Sequence, residues 1–243
     1  MNTSTCSHRL TALFTGLLLL TAFPGCSRSH QDVVAPHLAA IDDLRAKLKR
    51  IAADLPAPGT VQDTTAEPSL KPAFVFNDDR DPSANADCLH VAELTESDPE
   101  MDLNLSANLV YALTWTTPEK RRDASAFGDA TLIDQTLQAA TTLDYLVVHR
   151  LAELTLPAAL DATSFTDGAA TVEGLVVRLA DEAVVATYVV HATIPDTVNY
   201  EYREGEDAAK RLAAFARSAL WSDARSKIQD KLAAATGGTV TID

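Results

Sequence analysis

The sequence predicts an α+β fold: an antiparallel β-meander of three or four strands packed against helices, including a long C-terminal helix, with an amphipathic helix ahead of it. Two features carry this. Three runs rich in β-branched residues follow one another from Asp144, "DYLVVHRLAEL" and then "ATVEGLVVRLADEAVVATYVVHAT", the second and third joined across "ADEA". On either side of them, apolar residues recur every three or four positions, the spacing that lines one face of a helix. Each run is apolar on both faces, so both faces of the sheet should be at least partly covered, one of them by helices.

The chain opens "MNTSTCSHRL", with Arg9 as its one firm positive charge, and continues from Leu10 to Phe23 without any charge. That apolar run is too short for a helix to cross a hydrocarbon layer of about 30 Å, and it has the form of a signal-peptide core. It leads into "FPGC", where Gly25 precedes Cys26. This resembles the lipobox of bacterial lipoproteins, and the resemblance covers residues 1–26 only. It implies cleavage after Gly25, acylation of Cys26 by fatty acids such as palmitate, and anchorage at the cell envelope. Ser27 after the cysteine resembles lipoproteins sent to the outer membrane, facing the periplasm, where the organism has one. Cleavage without lipidation is the alternative. Two or three acyl chains hold a protein to a bilayer far more firmly than one.

The expected organisation is a signal peptide over 1–25, a lipid-anchored segment with an amphipathic helix over 26–55, a linker over 56–72 and a single α+β globular domain over 73–243. In the second segment Val34, His37, Ile41, Leu44, Leu48, Ile51 and Leu55 alternate spacings of three and four, predicting a helix over 36–54 with a narrow apolar stripe. Pro36 is tolerated only in its first turn. The stripe is expected either to dock on the chain's own domain or to pair with a partner helix, self-association through residues 34–55 included. Residues 56–72 hold four prolines and no apolar periodicity, the composition of a mobile linker that spans about 50 Å when extended.

Residues 77–103 carry nine acids against Arg80 alone and read as a solvated acidic loop. "LNLSANLVYALTW", from Leu103 to Trp115, fits strand and helix periodicity, with helix favoured and Ser106 as a competent N-cap. A helix follows from about Asp129 to Ala140. The C-terminal helix has Glu206 and Asp207 at its start, Lys227 and Lys231 near its end and Gly237–Gly238 as its stop. Its expected stripe is Leu212, Phe215, Ala219, Ile228 and Leu232, with a break at Ser222 and a final edge strand at "TVTID".

Net charge is −14, and removing residues 1–25, which hold Arg9 and no acid, makes it −15. So acidic a chain argues against nucleic acid and against electrostatic adhesion to anionic headgroups, both of which need clustered Lys and Arg. The partners expected are therefore the membrane, through the lipid anchor, and another envelope protein. With Cys6 removed and Cys26 acylated, Cys88 is the one remaining thiol, so no intramolecular disulfide forms.

No nucleophile elbow, phosphate loop, dinucleotide fingerprint or HExxH stands in the sequence, and no cofactor is expected. "DRDPSANAD" places Asp79, Asp81, Ser83, Asn85 and Asp87 at every second residue, as a calcium loop does. The match fails at Ala84 and His90, which replace the turn glycine and the bidentate glutamate of that loop. His149 and Glu153, four apart in a strand, lie about 13 Å from each other. His149 and His191, one strand apart, are about 9.5 Å apart and too distant to share a zinc comfortably. Trp115, Trp221, Tyr145 and Tyr188 read as packing residues. The function expected is a non-catalytic binding or assembly module, with a hydrolase using carboxylates or a metal, or a carrier of an apolar ligand, as alternatives.

Overall fold

The computed structural model describes residues 30–64, 85–91, 108–122, 129–201, 203 and 205–236. His30–Val34 (α1) passes through a 3₁₀ turn at Ala35–His37 into Leu38–Asp54 (α2). Then come Ala86–His90 (β1), Asn108–Trp115 (α3), Pro118–Arg122 (α4) and Ala130–Thr141 (α5). The chain goes on through Tyr145–Thr155 (β2), Ala169–Arg178 (β3) and Ala183–Thr193 (β4) to Ala208–Thr236 (α6). The strands form one sheet in the order β1-β2-β3-β4. β2, β3 and β4 make the antiparallel meander, while β1 pairs with β2 in parallel.

Alternation along the strands sends successive side chains to opposite faces, and both faces are covered. On one, Cys88, Val147, Val172, Val190 and their neighbours pack under Leu220, Trp221, Ala224, Ile228 and Leu232 of α6. On the other, Leu89, Leu146, Val148, Val177 and Leu179 meet α1, α2, α3 and α5. The result is three layers, helix, sheet and helices.

The stripe of α2 is covered from within the chain. Ile41, Leu44, Leu48 and Ile51 are all buried in the core they share with the sheet, each such burial contributing about 1.5–3 kcal/mol. His37, on the same stripe, hydrogen-bonds Asp134 of α5 at 2.8 Å. At the far end of α2, Arg50 clamps the carboxylate of Glu182 with contacts of 2.5, 3.0 and 3.1 Å. Glu182 sits in the β3–β4 turn at φ 59°, a left-handed conformation that a side chain normally resists.

Other expectations shift. The strand beside β2 is β1, cut from the segment read as an acidic loop; "TVTID" lies outside the described residues, as do Gly237 and Gly238. α5 begins one residue after Asp129, whose carboxylate caps the Thr131 N–H at 2.9 Å. α3 starts at Asn108, and Ser106 lies outside the described residues. α6 runs through Ser222 unbroken. Its buried row is Leu212, Ala216, Leu220, Ala224, Ile228 and Leu232, a strict spacing of four that runs about 26° oblique to the helix axis. Phe215 and Ala219 are only partly buried, because the row follows the sheet's twist rather than the helix axis. Among the described residues no helix is long and apolar enough to cross a membrane.

Candidate functional site

Four polar arrangements stand out among the described residues. The first is a row across the whole sheet beneath α6. His90 on β1 pairs with His149 on β2, His149 with Gly174 on β3, and Gly174 with Tyr188 on β4. His149 Nε2 and Tyr188 Oη share a hydrogen at 2.5 Å across the glycine, with their rings tilted by 60° and centroids 5.9 Å apart. Only glycine fits between them, since a Cβ at Gly174 would stand 2.0 Å from Tyr188 Cζ. Burial, reinforced by neighbouring His90, lowers His149 to about 3, and burial with nearby Cys88 pushes the Tyr188 hydroxyl well above its ordinary value. Both groups are therefore neutral at physiological pH, and His149 Nδ1 is buried without a hydrogen-bond partner.

The second arrangement lies on the opposite face, one residue along. Arg150 Nε donates to Glu173 Oε2 at 2.7 Å, with the two side chains 4% and 1% exposed. Each end of this buried pair also grips the segment after α2. Arg150 donates to the carbonyls of Pro56 and Ala57, and Glu173 Oε1 accepts from the N–H groups of Gly59 and Val61 at 2.9 and 3.2 Å. Gly59, at φ +80°, turns the chain between those contacts. Residues 56–64, expected as part of a mobile linker, are instead fastened to the sheet; residues 65–72 lie outside the described residues.

The third arrangement continues from there along the exposed edge of β4. Thr187 N–H donates to Thr64 Oγ1 and Val189 N–H to Asp63 Oδ1, at 2.9 and 2.8 Å, while Thr64 N–H donates to the Thr187 carbonyl at 2.9 Å. Farther along, Thr193 N–H donates to Asp223 Oδ2, and Lys227 Nζ donates to the His191 carbonyl, both at 2.9 Å. Outward backbone groups that would invite another strand are thus met largely by side chains. Between this edge and α6 lies an open groove of about 450 Å³ lined by Asp63, Val189, Val190, His191, Lys227, Asp230 and Lys231. Lys231 pairs with Asp63 at 2.6 Å and Lys227 with Asp223 at 2.8 Å. Burial opposes ionisation of Asp63, but hydrogen bonds from Lys231 and the Val189 N–H outweigh it and leave its pKa lowered. The groove offers paired charges and an imidazole, which suits polar recognition.

The fourth is Asp87, buried in β1. Its carboxylate accepts from the N–H groups of Cys88 and Leu109 at 2.7 and 2.9 Å, tying β1 to the start of α3. Asn85 donates to Asp144 at 3.2 Å. Asp79, Asp81 and Ser83, the rest of the calcium pattern, lie outside the described residues, and so does Cys26. Among the described residues no three His, Cys, Asp or Glu side chains converge as a metal site. His149 and His191 lie on opposite faces of the sheet, because their β3 partners, Gly174 and Thr171, are three residues apart. Cys88 is buried. Tyr145, Tyr188 and Trp221 are buried as packing residues, while Trp115 stacks on Tyr111 with centroids 5.4 Å apart.

The Arg150–Glu173 anchor was not singled out in the sequence. Its signal is there: opposite charges, Arg150 and Glu173, near the middle of two adjacent runs rich in apolar residues.

No protein-family model matches the chain, and no curated protein matches it. Among solved structures, a candidate lipoprotein from Caulobacter crescentus CB15 is similar at 13% identity over 63% of this chain and 89% of that one. Its TM-score is 0.30, too distant a superposition to bear on the site.

Proposed function

We propose that this chain is an envelope lipoprotein, acylated at Cys26 after loss of residues 1–25, whose domain acts as a non-catalytic binding or assembly module. The observation that carries the reading is the uncharged run Leu10–Phe23 followed by Gly25–Cys26. The binding role is supported by how the titratable groups are used. Those most perturbed by burial, His149 and Tyr188, are bonded to each other under α6, and at the open groove beside β4 Lys231 is paired with Asp63 and Lys227 with Asp223. Such surfaces suit recognition of a polar partner more than proton transfer. The outer membrane is the expected location where one exists, following Ser27.

Intact mass measurement on protein extracted from the membrane fraction tests the anchor, with an acylated N-terminal cysteine expected and an unacylated mature chain overturning it. Crosslinking in intact cells followed by pull-down tests the role. An envelope protein captured by wild type and lost from a variant with Lys227 and Lys231 replaced by Glu supports the module. Turnover of an envelope substrate with no captured partner favours the hydrolase instead.

A further inference from the structure

The odd-numbered residues of β4 from Thr187 to Thr193 turn their backbone groups away from β3, toward the groove and the segment that follows α2. α6 runs beside them in the opposite direction. Four helical residues advance about 6 Å and two strand residues about 6.7 Å, so successive turns of α6 keep step with successive outward residues of β4. Asp223 accordingly meets the Thr193 N–H, and Lys227, one turn on, meets the His191 carbonyl. Lys231 is next in the series and would meet the Val189 carbonyl. It donates instead to Asp63 at 2.6 Å, and Asp63 accepts from the Val189 N–H at 2.8 Å through its other oxygen. Two outward groups are thereby left without a partner among the described residues, the Val189 carbonyl and the His191 N–H, and both residues line the groove.

These two groups flank Val190, and their order decides which strand can bond them. In antiparallel pairing one residue exchanges both of its bonds with the single residue opposite, which would require the N–H and carbonyl of Val189, or those of His191, together. Asp63 already holds the Val189 N–H, and Lys227 the His191 carbonyl. In parallel pairing an added residue donates to the carbonyl before its counterpart and accepts from the N–H after it. Opposite Val190 those are the two open groups. Val190 faces α6, and a residue paired with it turns its side chain to the same face. Asp230 lies there, exposed at the groove and without an ion pair among the described residues, whereas Lys227 and Lys231 are each committed to a carboxylate.

We propose that the groove takes an extended segment of a partner protein as a short parallel strand, with a basic residue opposite Val190 whose cation meets Asp230. This names the partner chemistry of the binding module and rests on that reading. Main-chain bonds to a sheet edge supply the attachment, and the side chain beside Asp230 supplies the selectivity. A chain with a net charge of −14 attracts basic segments over acidic ones. A second copy of this chain does not fit: it carries the same charge, and none of its β4 residues from Thr187 to Thr193 has both outward groups open.

The test uses the whole mature chain and a tripeptide of valine, lysine and valine blocked at both ends, followed by amide resonances and hydrogen exchange. In the free protein the His191 N–H should exchange quickly beside a slower Val189 N–H, and the tripeptide should slow it. Methylating the lysine nitrogen of the peptide removes the donor to the Val189 carbonyl and should weaken binding roughly fivefold to tenfold. The same change at the first valine, whose N–H points away from β4, should leave binding nearly unchanged. Asp230→Asn should weaken binding by about twofold to fivefold. His191→Pro should abolish it, proline being admitted on an edge strand with its nitrogen outward, while His191→Ala retains it. A His191 N–H already protected in the free protein, no protection by the peptide, or equal losses from methylation at the two nitrogens overturns the strand addition. A partner captured in cells through Lys227 and Lys231 beside such a failure leaves the binding module standing. Peptide protection of His191 beside turnover of an envelope substrate overturns the non-catalytic reading instead, so the two failures are separable.

Discussion

His149 and Arg150 are neighbours on β2 that point to opposite faces of one sheet, and they solve the same problem in different ways. Each is a polar side chain in an interior that penalises unpaired polar groups. His149 stays neutral and bonds one hydroxyl across a glycine, in a row that ends within the sheet. Arg150 keeps its charge, and its remaining donors, with the second oxygen of Glu173, reach out of the sheet to hold residues 56–61. A neutral pair can be sealed with few contacts. A charged pair needs partners for its remaining donors and acceptors, and here it finds them by capturing a stretch of backbone.

The sharpest way to break this contrast is to remove one charge from the second pair. Arg150→Met leaves Glu173 buried and uncompensated, and should cost about 3–5 kcal/mol, read as a fall in the denaturant midpoint. Hydrogen exchange at Gly59 and Val61 should rise in the same variant. Adding Glu173→Leu to Arg150→Met should restore much of the stability and none of the exchange protection, which separates the pair's energetic role from its role as a fastener.

On the neutral side, Gly174→Ala sets a Cβ 2.0 Å from Tyr188 Cζ and should cost about 1–3 kcal/mol through displacement of the ring. Tyr188→Phe should lose about 1–3 kcal/mol by leaving His149 Nε2 without its partner. If Gly174→Ala proves neutral by thermal unfolding, the row is not close-packed.

The neutral row should also respond to acid. An unfolded His149 takes up a proton near 6.5, while the folded one refuses it until about 3. Its contribution to stability is therefore complete above about 6.5 and lost progressively as pH falls toward 3, at up to about 1.4 kcal/mol per pH unit. Unfolding measured between pH 4 and 6 should show a shallower pH slope in His149→Gln than in wild type. An unchanged slope would mean that His149 is protonated in the folded protein.

The smallest effect is expected at the end of the fastened segment. Asp63→Ala with Thr64→Val removes an exposed ion pair and two caps on the β4 edge, so stability should fall by no more than about 1 kcal/mol. The edge, however, loses its cover. Sedimentation should then reveal concentration-dependent self-association through β4, and a variant that stays monomeric would show that Asp223 and Lys227 guard the edge unaided.

Much of the architecture could be read from residue spacing. The meander, the C-terminal helix, the helix at 130–141 and the amphipathic helix before the sheet all follow from local periodicity, because the interval between apolar side chains directly reports which backbone conformation gives them a common face. The tertiary structure decided what those faces meet. The α2 stripe looked the same whether destined for a partner or for its own sheet, and only the assembled core shows Ile41, Leu44, Leu48 and Ile51 covered from within. β1 was hidden because its five residues lie in an acidic stretch and become a strand only where Asp87 finds the N–H groups of Cys88 and Leu109. Residues 56–64 were illegible for a related reason: their hold on the sheet comes from Arg150 and Glu173, Thr187 and Val189, which are distant in sequence. Hydrophobic pattern is local, whereas the partners of a polar backbone are chosen by the fold.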